Sequence, residues 1–162
     1  MKIGIVGDTH NNLRNVAQIV RLFNGFGVER VIHTGDISQP KTLDILAALS
    51  MPVFGVWGNN DLGEQEELAR RAEQLGFAFS EPPLELIWHE RSILVVHDPL
   101  EMHGVLVEHH ELVLHGHTHL YRHERQGHRL IFNPGECAGH LSGFNAVGIV
   151  DLENLSASLL KF

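Results

Sequence analysis

Residues 112–119 read Leu-Val-Leu-His-Gly-His-Thr-His, an apolar run that breaks into a cluster of imidazoles. In an extended segment, residues two apart point the same way, so His117 and His119 can present two rings to one small volume. Gly116 keeps side-chain bulk away from that volume. Neutral imidazole is the commonest metal ligand near physiological pH. Metal binding is therefore the chemistry this spacing allows, and a solvated turn is the competing reading. Four more polar clusters each follow an apolar run: Asp8-Thr9-His10, Gly35-Asp36, Gly58-Asn59-Asn60-Asp61 and His97. Taken singly, each has an ordinary explanation. Asp8 and Asp36 can cap the helices that follow them, and Asn59 and Asn60 can be turn residues. Asp61 and Glu64 have the spacing of a helix-capping pair, and His97 before Asp98-Pro99 can simply end a strand. Their recurrence in this order, each behind a strand, is not accounted for in that way.

The elements that must position them can be read from periodicity. Lys2 to Val6 is a β-branched run typical of a buried strand. It is followed by a helical face of Leu13, Val16, Ala17, Val20 and Phe23, stopped between Asn24 and Gly27. Glu29 to Ile32 forms a second strand, and a helix begun by Pro40 carries Leu43, Leu46 and Leu49. Val53 to Trp57 makes the third strand, and Glu64 to Leu75 a charged surface helix. This β-α-β-α-β-α order predicts an open, parallel α/β arrangement, in which ligand sites gather at the carboxyl ends of strands. No Gly-x-Gly-x-x-Gly follows the first strand, which argues against a dinucleotide site. The second half changes character, with hairpin-like pairs at 84–88/92–96, 121–125/129–132 and 146–151/156–160. A short helix is expected around Glu101 to Glu108. Two sheets packed face to face, with helices outside, accommodate both halves in one domain spanning residues 1–162.

Composition narrows the partners. With 43% apolar and 20% charged residues the chain reads as an ordinary soluble domain. Its formal charge of −8 argues against a broad nucleic-acid-binding surface. It leaves room for a phosphate-bearing substrate, because bound cations supply local positive charge that a residue count omits. The single Cys137 rules out an intrachain disulfide and suits a reducing compartment. No stretch approaches a membrane span, and the opening Met-Lys-Ile-Gly-Ile-Val is too short for a signal peptide. A cytoplasmic location is expected, without membrane association.

Asp8-Thr9-His10, Gly35-Asp36, Gly58-Asn59-x-Asp61, His97 and Gly116-His117-Thr118-His119 resemble the five motifs of the calcineurin-like metallophosphoesterases. The chain length, and Asn133-Pro134-Gly135 as a further loop signature, are similar to the small YfcE-type prokaryotic branch. The resemblance implies a four-layer α-β-β-α sandwich of two mixed sheets. It also implies two divalent ions, one held by Asp8, His10, Asp36 and His119, the other by Asp36, Asn59, His97 and His117, with Asp36 bridging. Carboxylate, amide and imidazole without thiolate suit Mn²⁺ foremost, and Fe, Co, Ni or Zn, rather than Ca²⁺. A hydroxide formed from water on the metals would then attack a phosphate ester in line with its leaving group. The implied activity is that of a phosphodiesterase on a small phosphate ester, with Asn59 and Asn60 as substrate contacts. The alternative is a non-catalytic protein-interaction module on the same fold, as in the retromer subunit. Retention of all seven ligand types favours the enzyme. The Ser/Thr phosphatase signature is missing, since Gly35-Asp36 continues Ile-Ser-Gln-Pro. The branch also suggests a homodimer or tetramer.

The chain departs from the family pattern in four places. Asn60 stands where many members carry a His that protonates the leaving group and is oriented by the following Asp. Esters with good leaving groups are therefore expected to react well and alkyl esters slowly. Asn60→His is expected to favour alkyl esters, provided Asp61 is free to orient the new ring. Asp98 and Glu136 replace a frequent Gly and Ser, and Asn11 replaces a Gly whose left-handed backbone Asn tolerates. Among the other histidines, His33 is expected to be structural, and His89, His109, His110, His123 and His128 solvated. His103 and His140 are the candidates for a substitute acid.

Overall fold

The computed structural model describes residues 1–106, 108–140 and 144–162. Its first half alternates strand and helix: β1 (Lys2–Val6), α1 (Leu13–Phe26), β2 (Arg30–His33), α2 (Pro40–Leu46), β3 (Val53–Val56), α3 (Gln65–Gln74) and β4 (Ala78–Ser80). β1, β2, β3 and β4 pair in parallel. The first three are short, β-branched and largely buried, as strands covered on both faces must be. Asn12 caps α1 by accepting from the Asn15 amide at 3.2 Å, and Gly27 ends it at φ 64°. The buried stripe of α1 is Val16, Ile19, Val20 and Phe23. Leu13 and Ala17, expected on that stripe, are only half-buried.

The second half supplies β5 (Leu84–Trp88), β6 (Arg91–Val95), β7 (Leu112–Leu114), β8 (Arg122–Gln126), β9 (Arg129–Asn133), β10 (Ala146–Asp151) and β11 (Ser156–Lys161). The three expected hairpins, β5–β6, β8–β9 and β10–β11, are all antiparallel. They are shared between two mixed sheets, in the orders β11-β10-β1-β2-β3-β4 and β5-β6-β7-β9-β8. The last hairpin returns to the first sheet, where β10 lies antiparallel to β1. Ile3, Ile5, Ile32, Val95, Leu114 and Phe132 belong to one fully buried cluster between the sheets. Helices α1 to α3 bury Val16, Ile19, Phe23, Leu43 and Leu68 against the outer face of the first sheet. The layered α/β architecture with two mixed sheets is thus the one the sequence implies, with a thin outer layer on the second sheet. There a single 3₁₀ turn, Pro99–Met102, places Met102 over Leu94, Val96, Val113 and Ile131.

That turn replaces the short helix expected around Glu101 to Glu108, of which Val107 lies outside the described residues. The cause is local. Asp98 caps the turn, and Glu101 folds its carboxylate back onto the amides of His97 and Asp98 at 2.9 and 3.1 Å. These bonds close one turn, and Gly104 at φ 85° ends any continuation. β4 has no counterpart in the sequence pattern, because three residues are too few for an alternation to register. No helix among the described residues is long and apolar enough to cross a membrane.

Candidate metal centre

Parallel pairing aligns the carboxyl ends of β1, β2 and β3 in one sheet and of β6 and β7 in the other. The loops leaving those ends carry all seven candidate ligands together with Asn60 and Asp61. Asp8 and His10 follow β1, Asp36 follows β2, Asn59 to Asp61 follow β3, His97 follows β6, and His117 and His119 follow β7. Asp8, His10, Asp36, His117 and His119 all have φ between 41° and 65°. Left-handed backbone outside glycine is strained and persists only where its surroundings over-determine it. Asn11 shares it, at φ 58°. Asp61 supplies much of the restraint. Its Oδ1 accepts from the amides of Ile37 and Ser38 at 2.8 and 2.7 Å, and its Oδ2 from those of Asp36 and Gly58 at 3.0 and 2.7 Å. The buried Asp61 therefore ties the loop carrying Asp36 to the loop carrying Asn59, and both its oxygens are committed. It is not free to orient a side chain at position 60, so the condition attached to Asn60→His is not met.

The side chains converge as two sets sharing one carboxylate. In the first, the ligand atoms of Asp8, His10, Asp36 and His119 all lie within 4.8 Å of one another. His10 Nε2 is 3.1 Å from His119 Nε2 and 3.4 Å from Asp36 Oδ2, and His119 Nε2 is 3.5 Å from Asp8 Oδ1. In the second, Asn59 Oδ1 lies 2.9 Å from His97 Nε2 and 3.0 Å from His117 Nδ1. His97 Nε2 is in turn 3.4 Å from Asp36 Oδ1. Asp36 thus turns Oδ2 toward one set and Oδ1 toward the other. Gly116 is required here, because a Cβ at that position would lie 2.8 Å from Asp8 Oδ2.

This geometry fits a divalent cation. Asp8 and Asp36 are buried carboxylates, and Asp8 Oδ2 has no hydrogen-bond partner. Buried carboxylate oxygens without compensation are costly, and ring nitrogens 3.1 Å apart direct two donors at one place. A cation satisfies both. The outer nitrogens are held as metal-bound histidines require. His97 Nδ1 donates to Thr34 O at 2.8 Å, His117 Nε2 faces Asp98 Oδ2 at 3.5 Å, and His119 Nδ1 lies 2.7 Å from Glu136 Oε2.

Electrostatics separate the two carboxylates. Burial lifts the Asp8 carboxyl to about 7, although His97 and His119 pull it down. Burial also acts to raise Asp36, but its contact with His97 and the donors of Asn60 outweigh it and hold that carboxyl well below the usual range. His97 responds in kind and is raised to about 9 against the effect of its burial. Asn60 donates twice to Asp36, from its backbone N at 2.9 Å and from Nδ2 at 2.8 Å.

His33 is buried and structural, with Nε2 3.2 Å from Thr9 Oγ1 and Nδ1 accepting from Gly35 N at 3.1 Å. His110 contradicts its expected solvation. It is fully buried where the chain enters β7, beneath Arg129, whose Nε donates to its carbonyl at 2.9 Å. His103 is exposed after the 3₁₀ turn, whereas His140 stacks on His119 at 5.6 Å and 13°. Asp98, which the sequence allows either to support a ligand or to be merely exposed, faces His117, and Glu136, for which the sequence offers no role, lies against His119. A carboxylate within the otherwise small and neutral run Gly135-Glu136-Cys137-Ala138-Gly139 was the available signal. A cleft of about 200 Å³ adjoins the second set, between Trp57, Leu62, Pro82 and Asp98.

Known proteins share this architecture. The chain is 32% identical over 158 residues to the phosphodiesterase MJ0936 of Methanocaldococcus jannaschii, covering 94% of each. A solved archaeal phosphodiesterase superposes with a TM-score of 0.91 at 30% identity, over 100% of both chains. YfcE, a phosphoesterase from E. coli, has the same fold, with a TM-score of 0.76 at 21% identity over 99% of each chain. Residues 1–155 match the calcineurin-like phosphoesterase superfamily domain, and the chain belongs to that superfamily.

Proposed function

We propose that this protein is a dinuclear, metal-dependent phosphodiesterase acting on a small phosphate ester. The observation that carries the reading is the position of Asp36, whose two oxygens each lie 3.4 Å from a histidine of a different set. In this reading Asp8, His10, Asp36 and His119 hold one ion, and Asp36, Asn59, His97 and His117 the other. Mn²⁺ is the foremost candidate, with Fe, Co, Ni and Zn compatible. When bound, two such ions supply positive charge to phosphoryl oxygens and lower the pKa of a water.

The chain's own residues perform the remaining work. Asp61 holds the Asp36 and Asn59 loops in register. Thr34, Asp98 and Glu136 fix the rings of His97, His117 and His119 by their outer nitrogens. Asn59 and Asn60, both exposed at the mouth of the site, are the proposed phosphate contacts, and Asn60 also steadies Asp36. An amide at position 60 has no titratable proton, so the leaving group receives no general-acid help there. The preference for diesters rests on the likeness to MJ0936. Residues 1–162 are proposed to act as one domain, in the cytoplasm.

Elemental analysis of protein reconstituted with excess Mn²⁺ is expected to give two ions per chain. A screen of phosphodiesters and phosphomonoesters with that protein is expected to show faster diester turnover, abolished by a strong chelator. One ion or none would end the dinuclear reading, and faster monoester turnover would end the diester assignment.

A further inference from the structure

The two proposed ion sites differ in their negative charge. The first has two buried carboxylates, Asp8 and Asp36, together with two imidazoles. The second shares Asp36 and otherwise offers a neutral amide and two imidazoles. Behind the first set lies another carboxylate. Glu136 is fully buried, and its Oε2 sits 2.7 Å from His119 Nδ1. The corresponding contact behind the second set is longer and wetter. Asp98 Oδ2 is 3.5 Å from His117 Nε2, and its side chain is 29% exposed.

The geometry points to Glu136 as a positioning residue that makes the Asp8/His10/Asp36/His119 site the tighter of the two and the first to fill. The inference rests on the dinuclear reading above. A ring whose Nδ1–H donates to a carboxylate must carry its lone pair on Nε2, the atom that faces Asp8 and His10. A buried anion at that distance also makes the ring a stronger donor, and its charge is poorly screened by solvent. The loop itself is anchored, since Glu136 O accepts from Ala146 N at 3.1 Å and Cys137 O accepts from Asn15 Nδ2 at 2.8 Å. His140, whose Nδ1 is 3.9 Å from the same Oε2, closes over the pair from the solvent side. Rotation of the His119 ring away from Glu136 is thereby opposed from two directions.

The test is a Zn²⁺ titration of the metal-free full chain against a chromophoric chelator, resolving two binding steps for the wild type, Glu136→Gln and Glu136→Ala. Changes at this kind of supporting carboxylate typically weaken metal affinity by about 10–100-fold. That loss is expected in the tighter step for Glu136→Ala. Glu136→Gln should lose less, because an amide oxygen still accepts from Nδ1–H and only the charge is gone. The weaker step should keep its affinity in both variants. Far-UV circular dichroism of the metal-free proteins accompanies the titration, and if the alanine variant does not fold, the glutamine variant alone decides. Two wild-type steps with both unchanged in Glu136→Gln would overturn the role of Glu136, and a loss confined to the weaker step would overturn the assignment of this site as the tighter one, each result leaving two ions in place. Fewer than two steps in the wild type would overturn the dinuclear reading and this inference together.

Discussion

Asp61→Asn is expected to be among the most damaging single substitutions in this protein, although Asp61 touches no ion in the proposed scheme. Four backbone amides converge on its carboxylate at 2.7 to 3.0 Å, two on each oxygen. Asparagine keeps one oxygen and turns an NH₂ group toward the other two amides. Two charge-assisted hydrogen bonds are lost, and donors are left facing donors in a buried site. Each such bond contributes about 1.5–3 kcal/mol, so the loss is about 3–6 kcal/mol, against a total stability for a domain of about 5–15 kcal/mol. For a chain of this size, that corresponds to a fall in Tm of about 6–24 °C. The assay is urea unfolding of wild type and variant, followed by far-UV circular dichroism with chelator present throughout, so that metal binding does not enter the comparison. Asn60→Ala is the control. It removes one bond to a carboxylate, from a residue open to solvent, and should cost no more than the lower end of that range, about 1.5 kcal/mol. A loss below about 1 kcal/mol for Asp61→Asn, at an unchanged m-value, would refute the reasoning. It would mean that the four amide bonds to Asp61 contribute far less to stability than their number implies.

Asp36→Asn should cause the largest loss of activity among the proposed ligands, and near-wild-type turnover in that variant would show that Asp36 is not shared between ions. Aryl phosphodiesters should turn over faster than alkyl ones, since a missing proton donor typically forfeits about 10²–10⁴-fold with basic leaving groups. Because Asp61 is committed to four amides, Asn60→His alone should not narrow that gap, and a selective gain on alkyl esters would contradict this. His33 is held down to about 3 by burial, below its ordinary 6.5. Its neutral form is favoured in the folded state, so its contribution is whole above 6.5 and is lost as the pH falls toward 3. His33→Gln should therefore lessen the acid-induced fall in stability over that window by up to about 1.4 kcal/mol per pH unit, and parallel profiles would exclude it. Light scattering at micromolar concentration is expected to give a dimer or tetramer mass, with β5 as one edge available for pairing, where Ile87 is 79% exposed. A monomer mass would contradict this.

Periodicity and residue type are enough to lay out the elements and the chemistry available to them. Short β-branched runs such as Lys2 to Val6 are most readily buried as strands, the three hairpins declare themselves by spacing, and polar residues immediately after a strand must lie at its end. That local logic gathers the polar clusters behind the strands, and their resemblance to the family motifs implies Asp8, His10, Asp36, Asn59, His97, His117 and His119 as ligands. How distant segments meet is set by long-range packing. The return of β10 to pair with β1, the burial of His110 and the stacking of His140 on His119 depend on contacts across many residues, which no local period encodes. The same holds for Asp61, whose spacing to Glu64 resembles an ordinary helix cap. Three of its four bonds reach back to the amides of residues 36–38 on another strand's loop. Glu136 carried no local signature beyond being a charge in a small, neutral loop. Its place against His119 comes from the packing of β9 beside β7 in the second sheet, which brings the loop after one strand to the histidines after the other. Residue types set what chemistry was possible, and the long-range pairing of strands set which atoms came within reach of one another.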